Sequence, residues 1–180
     1  VGTSFAITLL GAEHTPLLRG HFAYLREESG RDGLHFMPFA PGSEEGPRGP
    51  DPLRFSLPVT ECGWARCFGL WSEKGARIIG HVDLKGGSIA TEMHRCELGI
   101  GIEAQWCGQG FGERLMRTAI DFAAAQPTLE WIDLNVFAGN HRARRLYQRM
   151  GFEEIGLVRD RFRIAGAVID DVKMALRLRQ

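Results

Sequence analysis

Apolar positions recur along this chain with two different periods, and the changes of period mark its elements. Leu17, Leu18, Phe22 and Leu25 fall at roughly helical spacing, which predicts a helix from Pro16 to about Glu28. Ser4–Leu10 ahead of it reads as a short strand. Between Phe36 and Pro58 the periodicity fails and six of the eight prolines cluster, so a long loop with at most one short helix is expected. Loops longer than about 15 residues are usually functional or disordered. Arg66–Trp71 and Arg77–Leu84 read as strands around a turn at residues 72–75, and Arg95–Glu103 as a third strand. A second helix runs from the glycines after Cys107 to about Gln126. Phe111, Leu115, Ala119, Phe122 and Ala123 mark its buried face and Pro127 stops it. Leu129–Phe137 is a strand and Asn140–Met150 a helix, with Asn140 and Gly151 as its caps. Phe152–Ile164 and Val168–Leu176 form a hairpin around Ala165-Gly166.

Composition narrows the classes. The 180 residues fit one domain, 1–180, with 44% hydrophobic and 24% charged positions, as in soluble globular chains. The zero formal net charge argues against a nucleic acid as main partner. No apolar run approaches the roughly 20 residues of a membrane span, and the first ten residues do not resemble a secretory leader. Cys62, Cys67, Cys96 and Cys107 form no CxxC pair and no zinc spacing with His. Reduced thiols, a cytoplasmic location, no metal and no membrane partner are the expectations.

The segment Cys107-Gly108-Gln109-Gly110-Phe111-Gly112 lies between a strand and a helix. Its glycines let a ligand approach the backbone, and the helix start offers unpaired N–H groups to an anion. A nucleotide P-loop would need Gly-Lys-Ser/Thr, which Gly112-Glu113-Arg114 does not supply. A dinucleotide-binding turn would need GxGxxG near the first strand, whereas GxGxG stands here far into the chain, and the candidate acid, Asp133, falls mid-strand. A tight turn without a ligand remains the third reading.

Further on stands Asn140-His141-Arg142-Ala143-Arg144-Arg145-Leu146-Tyr147-Gln148-Arg149-Met150-Gly151-Phe152. The glycine loop, the strand and this N-x-x-A-x-x-L-Y-x-x-x-G-F segment together resemble the GNAT superfamily of N-acetyltransferases. Ile169–Leu176 resembles the last strand of its ribosomal-protein-alanine and small-amine branches. The resemblance covers roughly residues 66–176. One position departs: the family's Arg/Gln-x-x-Gly-x-Gly/Ala begins here with Cys107.

The resemblance implies an α/β fold of α+β type: a mixed, mainly antiparallel twisted sheet with helices on both faces, opened to admit acetyl-CoA. It implies transfer of acetyl to a primary amine, in a small molecule or at a protein N-terminus or lysine, by direct attack in a ternary complex. Tyr147 matches the tyrosine that protonates the leaving thiolate. Glu97 matches a glutamate that deprotonates the amine, and alternation puts it on one face with Gly99 and Gly101, which could clear space beside it; Glu61, Asp83 and Glu92 are weaker candidates. Ile100, Gly101 and Ile102 match the strand that pairs with the pantetheine arm. Gly108, Gln109, Gly110, Phe111, Gly112 and Glu113 would hold the diphosphate through backbone N–H groups. Asn140 either caps its helix, binds the cofactor, or both. The arginines of that helix read first as a solvated face, with one in reach of a phosphate as the sharper alternative. Cys107 at a helix start could be an activated thiol or merely tolerated. His81 and His94 read as structural, and Trp106 as packing or as an edge of the acceptor pocket. Residues 36–58 fall where the family shapes its acceptor site, and Phe36, Phe39 and Phe55 either line that pocket or anchor the loop. A non-catalytic acyl-CoA-binding module, transfer of a longer acyl group and a homodimer are the alternatives this reading keeps open.

Overall fold

The computed structural model describes residues 5–40, 43, 51–72 and 75–178. Seven strands form one sheet: β1 (Ile7–Leu9), β2 (Ala65–Trp71), β3 (Ile78–Gly86), β4 (Arg95–Ile102), β5 (Trp131–Phe137), β6 (Glu153–Ile164) and β7 (Ala167–Arg177), in the order β1-β2-β3-β4-β5-β7-β6. Every neighbouring pair is antiparallel except β4 with β5, which is parallel. Helices α1 (Thr15–Glu28), α2 (Phe111–Ala124) and α3 (His141–Arg149) complete the fold, which is the mixed, mainly antiparallel sheet the sequence implied.

Local chemistry explains the boundaries. Pro16 occupies the first turn of α1, where its missing N–H costs nothing, and Leu18, Phe22 and Leu25 form the buried stripe. The glycine at 110, in the left-handed region at φ 83°, turns the chain into α2, whose buried face carries Phe111, Leu115, Met116, Ala119 and Ala123. Asn140 accepts a hydrogen bond from the Ala143 N–H and starts α3; Gly151 at φ 94° ends it. Ala165 and Gly166 both have positive φ, as a two-residue hairpin turn requires.

Several expected boundaries move. The first strand is shorter than expected, and Ser4 lies outside the described residues, as do residues 73 and 74 of the 72–75 turn. β3 begins at Ile78 rather than Arg77, and β5 at Trp131 rather than Leu129. β4 stops at Ile102, and the next residue, Glu103, is buried and pairs with the half-exposed Arg77. Of the 36–58 loop, positions 41, 42 and 44–50 lie outside the described residues. A short 3-10 helix spans Pro52–Phe55, and Arg66 pins its C-terminal end by donating to the Phe55 and Leu57 carbonyls. Phe39 and Phe55 pack on the core, while Phe36 is exposed.

Two apolar clusters lie on opposite faces of the sheet. The larger joins α2 and Tyr147 of α3 to β2 through β5 and to β7, with Leu84, Leu98, Ile132, Leu134 and Met174 among its members. The smaller joins Leu18, Phe22 and Leu25 of α1 to Cys67 and Ile78. Burying a side chain of this size stabilises the fold by about 1.5–3 kcal/mol. Among the described residues no helix is long and apolar enough to cross a membrane.

Candidate acyl-transfer site

The parallel pair is where the sheet opens. β4 and β5 are in register only at Arg95↔Trp131, Cys96↔Ile132 and Glu97↔Asp133. Beyond Glu97 they diverge: β4 stays paired with β3 as far as Ile102, and β5 stays paired with β7 as far as Phe137. Backbone groups point alternately to the two edges of a strand, so roughly half of those in 98–102 and 134–137 face the gap. Ile100, Gly101 and Ile102 line one side of it.

The glycine loop stands at the open end. Gly108 and Gly110 have φ of 84° and 83°, and a Cβ built on Gly110 would meet nothing within 4 Å. The first backbone bond returning from α2 is Arg114 N–H to the Gly110 carbonyl, 3.2 Å. Among the described residues the N–H groups of Gly108, Gln109, Gly110, Phe111, Gly112 and Glu113 have no such bond. Side chains here turn elsewhere: Phe111 packs against Phe5 and Trp106, Glu113 pairs with Arg117 at 2.9 Å, and the Gln109 amide donates to the Gln105 carbonyl. What remains is a backbone concavity of donors at a helix start, which fits a diphosphate.

Cys107 is half-buried and its thiol lies 3.6 Å from the Ile102 carbonyl. Burial pushes the thiol up, against the opposite pull of Arg142. Trp106 packs on Phe5 and Phe111.

Glu97 is exposed and stands at the last paired position, where the strands part, with Lys85 across from it on β3 and Asp133 on β5. Asp133 is held by a bidentate Arg95, 2.7 and 2.5 Å. The space over Gly99 and Gly101 is not beside Glu97, as alternation suggested. A Cβ at 99 would lie 2.7 Å from Asp83 Oδ1, and one at 101 would lie 2.8 Å from His81 Cε1. The two glycines admit these buried side chains of β3.

His81 and Asp83 belong to a chain of buried polar groups. His21 Nε2 lies 2.9 Å from His81 Nδ1, His81 Nε2 lies 3.6 Å from Asp83 Oδ1, and Lys85 Nζ lies 3.2 Å from Asp83 Oδ2. At the other end His21 Nδ1 lies 3.5 Å from Glu103, which is fully buried and grips Arg77. Burial opposes charge on Asp83, yet His81 and Lys85 outweigh it and hold the carboxyl below its ordinary range. Glu103 is held down in the same way by His21 and Arg77 against its burial. Desolvation drives His21 to about 4, so it is neutral at pH 7. His21 and Glu103 were not singled out in the sequence as members of a buried polar chain. The available signal for His21 was a histidine on the apolar stripe of α1, between Leu18 and Leu25.

Tyr147 lies across the sheet from these groups, in the larger core cluster, with its ring 6.2 Å from that of Phe152. Burial pushes the phenol up and keeps it protonated. Its hydroxyl has no hydrogen-bond partner among the described residues. Asn140 is a helix cap in this structure. Glu61 and Glu92 are exposed, as is His94. No group of three or more His, Cys, Asp or Glu placed to hold a metal occurs among the described residues.

This architecture is that of the acetyltransferases. Over 97% of this chain and all of the other, it superposes with a TM-score of 0.83 and 19% identity on an acetyltransferase of the GNAT family from Streptococcus pneumoniae. The sequence model described as Acetyltransferase (GNAT) family matches residues 36–152, and the chain belongs to that family. Among curated relatives it is 37% identical to the N-alpha-acetyltransferase RimI of Mycobacterium tuberculosis (strain ATCC 25618 / H37Rv), over 38% of this chain and 40% of that protein. It is 28% identical to the L-amino acid N-acetyltransferase AaaT of Escherichia coli (strain K12), over 42% of this chain and 47% of that protein. The matches thus span less than half the length of either relative.

Proposed function

We propose that the protein is an N-acetyltransferase that moves acetyl from acetyl-CoA to a primary amine by direct attack in a ternary complex. The observation that carries this reading is the parting of β4 from β5 beyond Glu97, with the glycine loop at the open end. Acetyl-CoA supplies a thioester; the chain supplies position and proton transfer. The N–H groups of 108–113 bind the diphosphate, and the free edge of Ile100–Ile102 offers pantetheine a strand partner. An N–H of that edge polarises the acetyl carbonyl, a contribution of roughly 10²–10³ in rate.

The acceptor arrives as an ammonium, because a lysine-type amine has a pKa of about 10.4. Glu97, exposed at the vertex, takes its proton directly or through water and passes it to solvent. Tyr147 gives a proton to the departing thiolate from the opposite face, and the second proton shed by the amine nitrogen after attack restores the phenol through solvent. One proton is released per turnover. Met37, Phe39 and Phe55 pack in the α1-side cluster, on the face where Glu97 lies, and the 36–58 segment that carries them selects the acceptor. The names of the two curated relatives support two acceptor classes, a protein α-amine and a free amino acid. Four free thiols support a reducing, cytoplasmic setting.

Calorimetric titration with acetyl-CoA tests the cofactor half. Micromolar binding that Gly110→Trp abolishes is expected, since the glycine's φ of 83° and the open space above it are both lost. Thiol release with an alanine-initiated peptide and with free amino acids tests the acceptor half. Binding without release for any amine would turn the reading into one of an acyl-CoA-binding module.

A further inference from the structure

Arg142 stands in the first turn of α3, a position where the helix dipole disfavours a cation, and that turn holds no acidic residue to offset it. Of the other arginines of the helix, Arg144 binds Glu154 and the Ala138 carbonyl and Arg149 the Arg145 carbonyl, while the Arg145 side chain is exposed. Among the described residues no carboxylate or carbonyl takes the Arg142 guanidinium. It lies instead against the glycine loop. Arg142 Nη2 is 3.1 Å from where a Cβ on Gly108 would stand, and its charge is felt by the Cys107 thiol. An unpaired guanidinium, a run of unpaired N–H groups and a glycine that leaves room between them converge on one point.

The loop itself brings no long polar side chain to that point. Cys107 is short, and its thiol lies against the Ile102 carbonyl. We infer that Arg142, reaching across from α3, supplies the side-chain contact to the cofactor's diphosphate that Cys107 cannot make. The inference rests on the acetyl-CoA reading and deepens it. A guanidinium suits this task because its planar donors match two phosphate oxygens at once. Because α3 also carries Tyr147, seating the diphosphate between Arg142 and the loop fixes the helix that holds the proton donor.

The test is calorimetric titration of CoA and of 3′-dephospho-CoA into the unmodified protein, Arg142→Ala and Arg142→Lys. Arg142→Ala should weaken both ligands alike, by about 10–50-fold, and Arg142→Lys should lose less. The loss should shrink as salt rises. The melting temperature of Arg142→Ala should not fall, since no hydrogen bond or ion pair is removed and a cation leaves the first turn of the helix. Equal affinity of Arg142→Ala and the unmodified protein overturns the inference. A loss confined to CoA overturns it too, by moving the contact to the 3′-phosphate. If the unmodified protein binds neither ligand, the acetyl-CoA reading falls first and takes this assignment with it.

Discussion

His21 of α1 and His81 of β3 meet nitrogen to nitrogen at 2.9 Å, and both rings are buried. A bond of this kind needs one ring to donate and the other to accept, and a neutral His21 can accept at Nε2 while its Nδ1–H faces Glu103. His21 is held at about 4 by desolvation, against about 6.5 for an exposed histidine. A depressed histidine favours folding fully above the unfolded value, and that contribution is lost as pH falls from 6.5 towards 4. Asp83 and Glu103 add a second window at lower pH, since their depressed carboxyls stabilise above the unfolded carboxylate pKa and lose that effect on further acidification.

The melting temperature should therefore fall between pH 7 and pH 4.5, by an amount equivalent to at most about 3 kcal/mol from His21. His21→Gln should be less stable at pH 7 and flatter across this range. Equal slopes for the two proteins would remove His21 as the cause.

Tyr147→Phe removes a hydroxyl without a protein partner, so its melting temperature should stay within about 2 °C of the unmodified value. Turnover, by contrast, should fall about 10²-fold or more while acetyl-CoA affinity holds. Unchanged turnover would take the donor role from Tyr147.

Glu97→Gln should lower kcat by about 10²–10⁴-fold at neutral pH and lose the acid limb of the pH–rate profile. A retained acid limb with a modest drop would mean that another group accepts the proton.

Gly99→Ala should destabilise the fold by about 1–3 kcal/mol, because its methyl would stand 2.7 Å from Asp83 Oδ1. A crystal structure of the variant should show the Asp83 carboxylate displaced. An undisturbed Asp83 together with native stability would contradict the close packing of β3 against Gly99.

Asn140→Ala should cost about 1 kcal/mol, or roughly 2–4 °C, through the lost bond to the Ala143 N–H, and Asn140→Asp should restore most of it. If acetyl-CoA affinity drops in Asn140→Asp while stability is kept, the residue also touches the cofactor.

What could be read in the sequence was what depends on near neighbours. Asn140 and Gly151 announced the ends of α3, Pro127 the end of α2, and the two-residue turn at Ala165-Gly166 the last hairpin. The glycine loop and the family segment located the site. What could not be read depends on register and on packing between elements. Gly99 and Gly101 were correctly singled out but given the wrong neighbour, because only the β3–β4 pairing sets Asp83 opposite one and His81 opposite the other. Glu103 looked like the last residue of a strand, whereas its partners Arg77 and His21 lie on distant segments. The place of Arg142 over Gly108 depends on how α3 leans on the start of α2, where Leu146 approaches Gly112.

The three-residue register between β4 and β5 has a mechanical meaning. It is the seam between two blocks, one made of β1 to β4 with α1 and α2, the other of β5 to β7 with α3. A ligand lying in the opening would work as mortar along that seam. Its removal should loosen the amides of 98–102 and 134–137 ahead of those deep in either block, and hydrogen exchange should trace the joint residue by residue.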